Sequence, residues 1–160
     1  MPALWMGVTG GLIALAAVLA VATLLGVALR RRAGVFRPAR PASAAPARDA
    51  LTEADLGGAL GEQATLVQFS TEFCATCRPT RQLLAQVAGS LDGVTHVEID
   101  ADDRMDLVRR LRINSAPTVL VLGPDGVIAQ RATGLPGRAD VLAALGSVLG
   151  PANIDHFGRK

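Results

Sequence analysis

Between Ala3 and Leu29 the chain carries no charged side chain, and Arg30, Arg31 and Arg32 follow at once. As one helix, those 27 residues would rise roughly 40 Å, against a hydrocarbon core of ~30 Å. A membrane helix with a basic flank is therefore expected over residues 1–32. A cleaved signal peptide fits less well, because no Lys or Arg precedes the run and the run exceeds the usual apolar core. Trp5 stands where an interfacial aromatic would stand. Gly7 and Gly11 either form a helix-pairing face or only reflect the abundance of small residues here. Positive charge close to a span tends to remain on the cytoplasmic side, so the arginines predict an outside N-terminus and a cytoplasmic C-terminal domain. As a solvated juxtamembrane segment they would bias orientation in the same direction.

Charge divides the chain further. Six arginines and no acid precede Asp49, whereas the remaining ten bases face fourteen acids. The basic balance thus belongs to the N-terminal part, and the acidic remainder argues against nucleic acid as a partner. Residues 33–50 hold three prolines, many alanines and scattered charge, which predicts an extended, disordered linker. Residues 151–160 offer too little to pack and are expected to be loose.

From Leu51 to residue 150 the pattern is that of one folded domain. Thr52 and Asp55 resemble a capping box, predicting a short helix near 52–60. Ala64–Phe69 is an apolar run of strand length, and Cys77–Ala88 places Leu83, Leu84 and Val87 on one helical face. Val94, Val97 and Ile99 mark a second strand, and Asp102–Leu111 a second helix. Thr118–Leu122 reads as a third strand, rich in branched residues. Gly123-Pro124-Asp125-Gly126 is a turn signal leading into a fourth strand, Val127–Arg131. Arg138–Leu149 closes the series as an amphipathic helix. The β-α-β units ask for parallel strands and the tight turn for an antiparallel hairpin, which makes an α/β domain with a mixed sheet.

The chain has two cysteines, Cys74 and Cys77, so it is no multi-disulfide scaffold. They lie at a strand-to-helix junction, where sulfurs three positions apart can meet across the first helical turn. Free N–H groups and the positive end of the helix dipole favour a thiolate on the first sulfur, and Arg78 and Arg81 are expected to add positive potential. Cys74 is then the attacking thiol and Cys77 the resolving one. Zinc would need two further ligands, and His96 and His156 belong to different segments, so no metal is expected. A purely structural role suits so small a loop poorly.

Several landmarks together extend this reading. The strand TLVQF, the motif FCATC, the strand HVEID, the segment INSAPTVLVL, the turn GPDG and the late Gly134 resemble the thioredoxin superfamily, from about Ala64 to Leu149. The resemblance implies a three-layer fold around a central mixed sheet of about four strands. It also implies a cis Pro117 facing the dithiol, with Ala116 and Pro117 offering a backbone edge to a substrate segment. Phe73 and Gly134 join that substrate-binding rim on the same grounds. From the residues alone, Pro117 is only a strand-start proline.

The chain departs from the family at tuning positions. Phe73 stands where tryptophan is usual, and Ala75-Thr76 replaces Gly-Pro. Gln68 replaces a buried acid, and an amide cannot act as a carboxylate base. His96 occupies the basic position that accompanies that acid, either as a proton relay or as a strand histidine turned to solvent. Thr76 is a candidate hydrogen-bond donor to a thiolate. The expected function is a membrane-tethered thiol–disulfide oxidoreductase that reduces protein disulfides. Alternatives are an extracytoplasmic oxidase, isomerase or maturation factor, and a non-catalytic redox-sensing module. No nucleotide-binding signature occurs and no cofactor is expected, so an external reductase or thiol partner must recycle the site.

Overall fold

A computed structural model describes residues 15–27, 35–38 and 50–149. The chain divides into two compact units, Met1–Arg32 and Ala33–Lys160. In the first, residues 15–27 form helix α1, whose side chains are all exposed. Thr23 donates its hydroxyl to the Leu19 carbonyl at 2.7 Å, which satisfies a polar group on an otherwise apolar helix. Among the described residues, no helix is long and apolar enough to cross a membrane. Only this part of the charge-free run is described; Trp5, Gly7, Gly11 and the triplet Arg30–Arg32 lie outside the described residues, as do 39–49 and the C-terminal tail.

In the second unit the elements run β1 (Arg37–Pro38), α2 (Glu53–Leu56), β2 (Ala64–Ser70), α3 (Cys77–Ala88), β3 (Val94–Asp100), α4 (Met105–Arg110), β4 (Thr118–Leu122), β5 (Ile128–Thr133) and α5 (Arg138–Leu149). The sheet has the order β1-β5-β4-β2-β3. β2 pairs parallel with β3 and antiparallel with β4, and β4 pairs antiparallel with β5. Hence the β2-α3-β3 unit is a parallel crossover, as expected. The next connection is not: β4 crosses to the other side of β2 and runs against it. Both positions flank the same central strand, so sequence pattern alone does not choose between them.

Burial follows from this order. Every residue of β2 is buried because the strand is central and covered on both faces. Val67, Phe69, Leu120 and Leu122 face one layer with Leu56 and Leu107, and Ala64, Leu66, Val119 and Val121 face the other with Leu84, Val87, Val141 and Leu145. The result is a helix–sheet–helix sandwich with α2 and α4 on one side and α3 and α5 on the other.

Three local differences from the sequence expectation have physical causes. The stretch 33–50, read as a linker, supplies the two-residue edge strand β1, with Arg37 opposite Arg131 and Pro38 opposite Gln130. Phe36 packs against the α3-side core and anchors it there; a proline is tolerated at such an edge because it need not donate to a further strand. The expected mixed sheet of about four strands, β5-β4-β2-β3, is present, and β1 extends it at one edge. Helix α4 starts at Met105 rather than Asp102, because the Asp100 carboxylate accepts the Asp102 N–H at 2.9 Å and holds the chain in a turn. The capping box is as expected, Thr52 and Asp55 each bonding the other's backbone N–H, but α2 ends at Leu56, where Gly57 takes a left-handed conformation.

Candidate active site

The loop that leaves β2 delivers Cys74 to the start of α3, and Cys77 is the first residue of that helix. The two are joined by a disulfide with S–S 2.12 Å and Cα–Cα 5.3 Å. Cys77 is 3% exposed whereas Cys74 is half-buried, so a partner thiol or disulfide can reach only the first sulfur. Thr76 occupies the helix N-cap without a side-chain capping bond. Its hydroxyl lies 3.7 Å from the Cys74 sulfur instead. Pro79 sits in the first turn, where a missing N–H costs nothing. The helix end therefore presents its positive pole to the sulfurs without a competing carboxylate cap.

The opposite wall is built by β4 and β5. The Ala116–Pro117 peptide is cis. Pro117 is buried, and the strand it introduces begins with Thr118, which is register-paired with Phe69 of β2 and Thr133 of β5. The end of β2, the cis proline and the end of β5 thus share one edge of the sheet, the edge from which the cysteine loop departs. Gly134 lies there with φ 80°, its N–H donated to the Pro117 carbonyl at 2.8 Å. Phe73, next to Cys74, is 94% exposed, and Leu135 is 43% exposed. Both exposed apolar side chains thus lie on loops that leave this end of the sheet, Phe73 in the cysteine loop and Leu135 just after Gly134.

Beneath the dithiol lies a polar group of side chains on the α3 face of the sheet. Gln68 is fully buried, and its amide nitrogen donates to the Cys77 carbonyl at 3.0 Å. Glu98 stands opposite Gln68 in register, and His96 opposite Leu66. Glu98 accepts from the Ser70 hydroxyl at 2.7 Å and is ion-paired with Arg81 of α3. Burial alone would raise the Glu98 pKa, but the bonds from Arg81 and Ser70 outweigh it and hold the carboxyl below its usual range. His96 is not turned to solvent: its Nε2 is buried without a partner, and burial pushes its pKa below the ordinary value, with Arg81 adding to the shift and Glu98 opposing it.

The sequence reading flagged Gln68, Phe73, Cys74, Thr76, Cys77, Ala116, Pro117 and Gly134, all of which fall at or beneath this one edge. Arg78 is an exposed residue of the first turn of α3. Arg81 differs from expectation, because its charge is directed at Glu98 rather than at the sulfurs. Glu98 and Ser70 were not singled out. The available signal was periodicity: both alternate with core residues and so lie on the face that α3 covers.

A disulfide-bonded cysteine pair at a helix start, with a cis proline at the same end of a mixed sheet, defines the thioredoxin-like class of redox proteins. The thioredoxin family model matches residues 51–146, and the chain belongs to that family. It is 29% identical over 77 residues to a thioredoxin of Chlamydia trachomatis serovar D, an alignment covering 48% of this chain and 74% of that protein. A thioredoxin variant from Halobacterium salinarum superposes with a TM-score of 0.51 at 19% identity, over 56% of this chain and 77% of the other, a level that speaks to fold alone. Chloroplastic thioredoxin z gives a TM-score of 0.49 at 29% identity, over 54% of this chain and 79% of that chain. Family membership together with the Cys74–Cys77 pair makes this domain a thiol–disulfide oxidoreductase. Proteins of this class act on disulfide-bonded protein substrates and exchange with thiol partners.

Proposed function

We propose that this chain is a membrane-tethered reductant of protein disulfides working on the cytoplasmic face. The observation that carries the reductase chemistry is the pairing of a half-buried Cys74 with a buried Cys77 at an uncapped helix start. In the reduced protein, the Cys74 thiolate attacks a client disulfide and expels one client sulfur as a thiolate. Cys77 then loses its proton and attacks the Cys74 sulfur. The second client sulfur leaves with the bonding electrons and takes up a proton. Two electrons and the one proton from Cys77 pass to the client, whose other sulfur leaves as a thiolate, and Cys74–Cys77 becomes the disulfide. An external reductase or thiol partner restores the dithiol.

Ala116, Pro117 and Gly134 are assigned to hold the client segment along their backbone edge, with Phe73 covering its apolar side chains. Thr76 and Arg78 act on the charge at Cys74, and Gln68 and His96 tune the polar surroundings of Cys77 beneath it. The tether and orientation rest on the charge-free run and the arginines after it. Anchoring would raise the effective concentration of membrane-bound clients.

Two measurements test this reading. Equilibrating the full-length chain with a glutathione couple should return a strongly reducing value; an oxidising one would turn the proposal into a thiol oxidase. A phosphatase reporter fused after Lys160 should be silent, and activity outside the membrane would reverse the orientation.

A further inference from the structure

We infer that the side-chain oxygen of Gln68 accepts a hydrogen bond from the Cys77 thiol in the reduced protein, which makes Gln68 a positioning residue for the second half of the exchange. The kinetic part rests on the oxidoreductase reading above; the hydrogen bond itself does not.

The inference starts from an unbalanced amide. Gln68 is fully buried, and its Nε2 donates to the Cys77 carbonyl at 3.0 Å. A carbonyl can only accept, so the amide nitrogen must face it and the oxygen is the atom left over. That oxygen, Oε1, is buried and has no partner. Native interiors seldom leave such an acceptor unmatched. In the disulfide neither sulfur carries a hydrogen. Reduction adds one buried donor, the Cys77 S–H, on the very residue whose carbonyl this amide already holds. The unmatched acceptor and the new donor thus belong to one residue pair, and they are matched in only one redox state.

The proton has no adjacent base to receive it. From β3, Gln68 is faced by Glu98 and, two residues earlier, His96, with Asp100 exposed at the strand end. From α3 come Arg81, ion-paired with Glu98, and the exposed Arg78. β4 brings Val119, and the buried face of α5 brings Val141, Ala144 and Leu145, none of which titrates. Glu98 is already engaged by Arg81 and Ser70, His96 lies one same-face position further back, opposite Leu66 rather than Gln68, and the amide itself takes up no proton. Cys77 therefore releases its proton to water or to the departing client thiolate. Resolution of the mixed disulfide should speed up with rising pH, while the first attack by Cys74 does not involve Gln68.

The test uses the full-length chain and two substitutions, Gln68→Met, which keeps the length and removes the acceptor, and Gln68→Glu, which supplies a base. With Cys74→Ser in the background, Cys77 is the sole thiol and its S–H stretch can be read by infrared difference spectroscopy. The band should lie at the lowered frequency of a bonded thiol and move up in Gln68→Met; an unmoved band overturns the inference. Without the serine, Gln68→Met should shift the glutathione equilibrium about threefold to tenfold towards the disulfide, the worth of one net hydrogen bond. In stopped flow with a fluorescent disulfide peptide, Gln68→Glu should accelerate resolution about tenfold or more at pH 7 and flatten its pH dependence, with Cys74 attack unchanged. An unchanged resolution rate counts against the inference alone. Absence of any mixed disulfide in the unsubstituted chain would sink the oxidoreductase reading, and the infrared band would still decide the hydrogen bond. If Gln68→Met does not fold, Gln68→Glu carries the spectroscopic readout, its ionised carboxylate drawing the S–H band lower still.

Discussion

Gly134 donates its backbone N–H to the Pro117 carbonyl at 2.8 Å, tying the end of β5 to the cis peptide that precedes β4. The bond requires φ 80° at residue 134, a left-handed conformation that costs an L side chain about 1–2 kcal/mol. Gly134→Ala should therefore lower stability by about that amount and loosen the loop that carries Pro117. If that loop holds the client, KM for a protein disulfide rises more than kcat falls. Pro117→Ala should show the same imbalance more strongly, whereas unaltered kinetics in both variants would remove the loop from substrate binding.

The accessibility of the two sulfurs predicts separable failures. Cys74→Ser should abolish turnover of a model disulfide, because the only sulfur within reach of a partner is gone. Cys77→Ser should still be attacked or attack once, and then remain covalently linked to the client. Mass spectrometry of the trapped adduct checks the second outcome, and a Cys74→Ser protein that turns over normally would assign the activity elsewhere.

His96 should give the domain a stability that falls between neutral and mildly acidic pH. Burial lowers its folded-state pKa below the ordinary 6.5, so the unfolded chain binds its proton more readily. The stability is then fully present above 6.5 and is lost as pH falls through the folded value. Thermal unfolding of the full-length chain between pH 7.5 and 5.5 should show that decline, and His96→Asn should flatten it. Asp55 and Glu98 act further into acid: both pKa values are lowered despite burial, by Arg110 and Thr52 for Asp55 and by Arg81 and Ser70 for Glu98. Their contribution is present above the ordinary carboxylate range and disappears as pH falls below it.

The hairpin between β4 and β5 holds the entry of the domain. Leu51 donates its N–H to the Gly126 carbonyl at 2.9 Å, and a Cβ at Gly126 would run into the Leu51 carbonyl in addition to meeting an unfavourable φ of 75°. Gly126→Ala should cost more than the ~1–2 kcal/mol of the backbone conformation alone, since backbone has to move. Chemical denaturation measures this loss, and a cost within 0.5 kcal/mol, the usual scatter of surface substitutions, would show that the contact relaxes freely.

Most of this domain was legible because its local signals agree with one another. The bounds of α3, β4 and α5 match the periodic segments read from the sequence, and Cys77 opens α3 as the spacing requires. What failed to appear depended on partners distant in sequence. Nothing local to Arg37 and Pro38 announces a strand, since two residues become one only when β5 lends them a ladder. Nothing local to Arg81 tells whether its charge serves the sulfurs or Glu98, because the choice follows from how α3 crosses β3. His96 was open between a relay and a solvent-facing side chain for the same reason: an imidazole on a strand is buried or free according to what packs over it.

The amino-acid sequence by itself determined the identity of the reacting sulfurs, their three-residue spacing and their place at a helix start, since these depend on neighbours within a turn. Tertiary structure alone decided that β4 runs against β2, that Gln68 reaches under Cys77, and that Arg81 and Ser70 claim the carboxylate of Glu98. Such contacts join residues up to 57 positions apart in paired strands, and their geometry is fixed by packing two helical layers onto one sheet. Side-chain pattern can say that a face is covered; only the assembled layers say which group covers it.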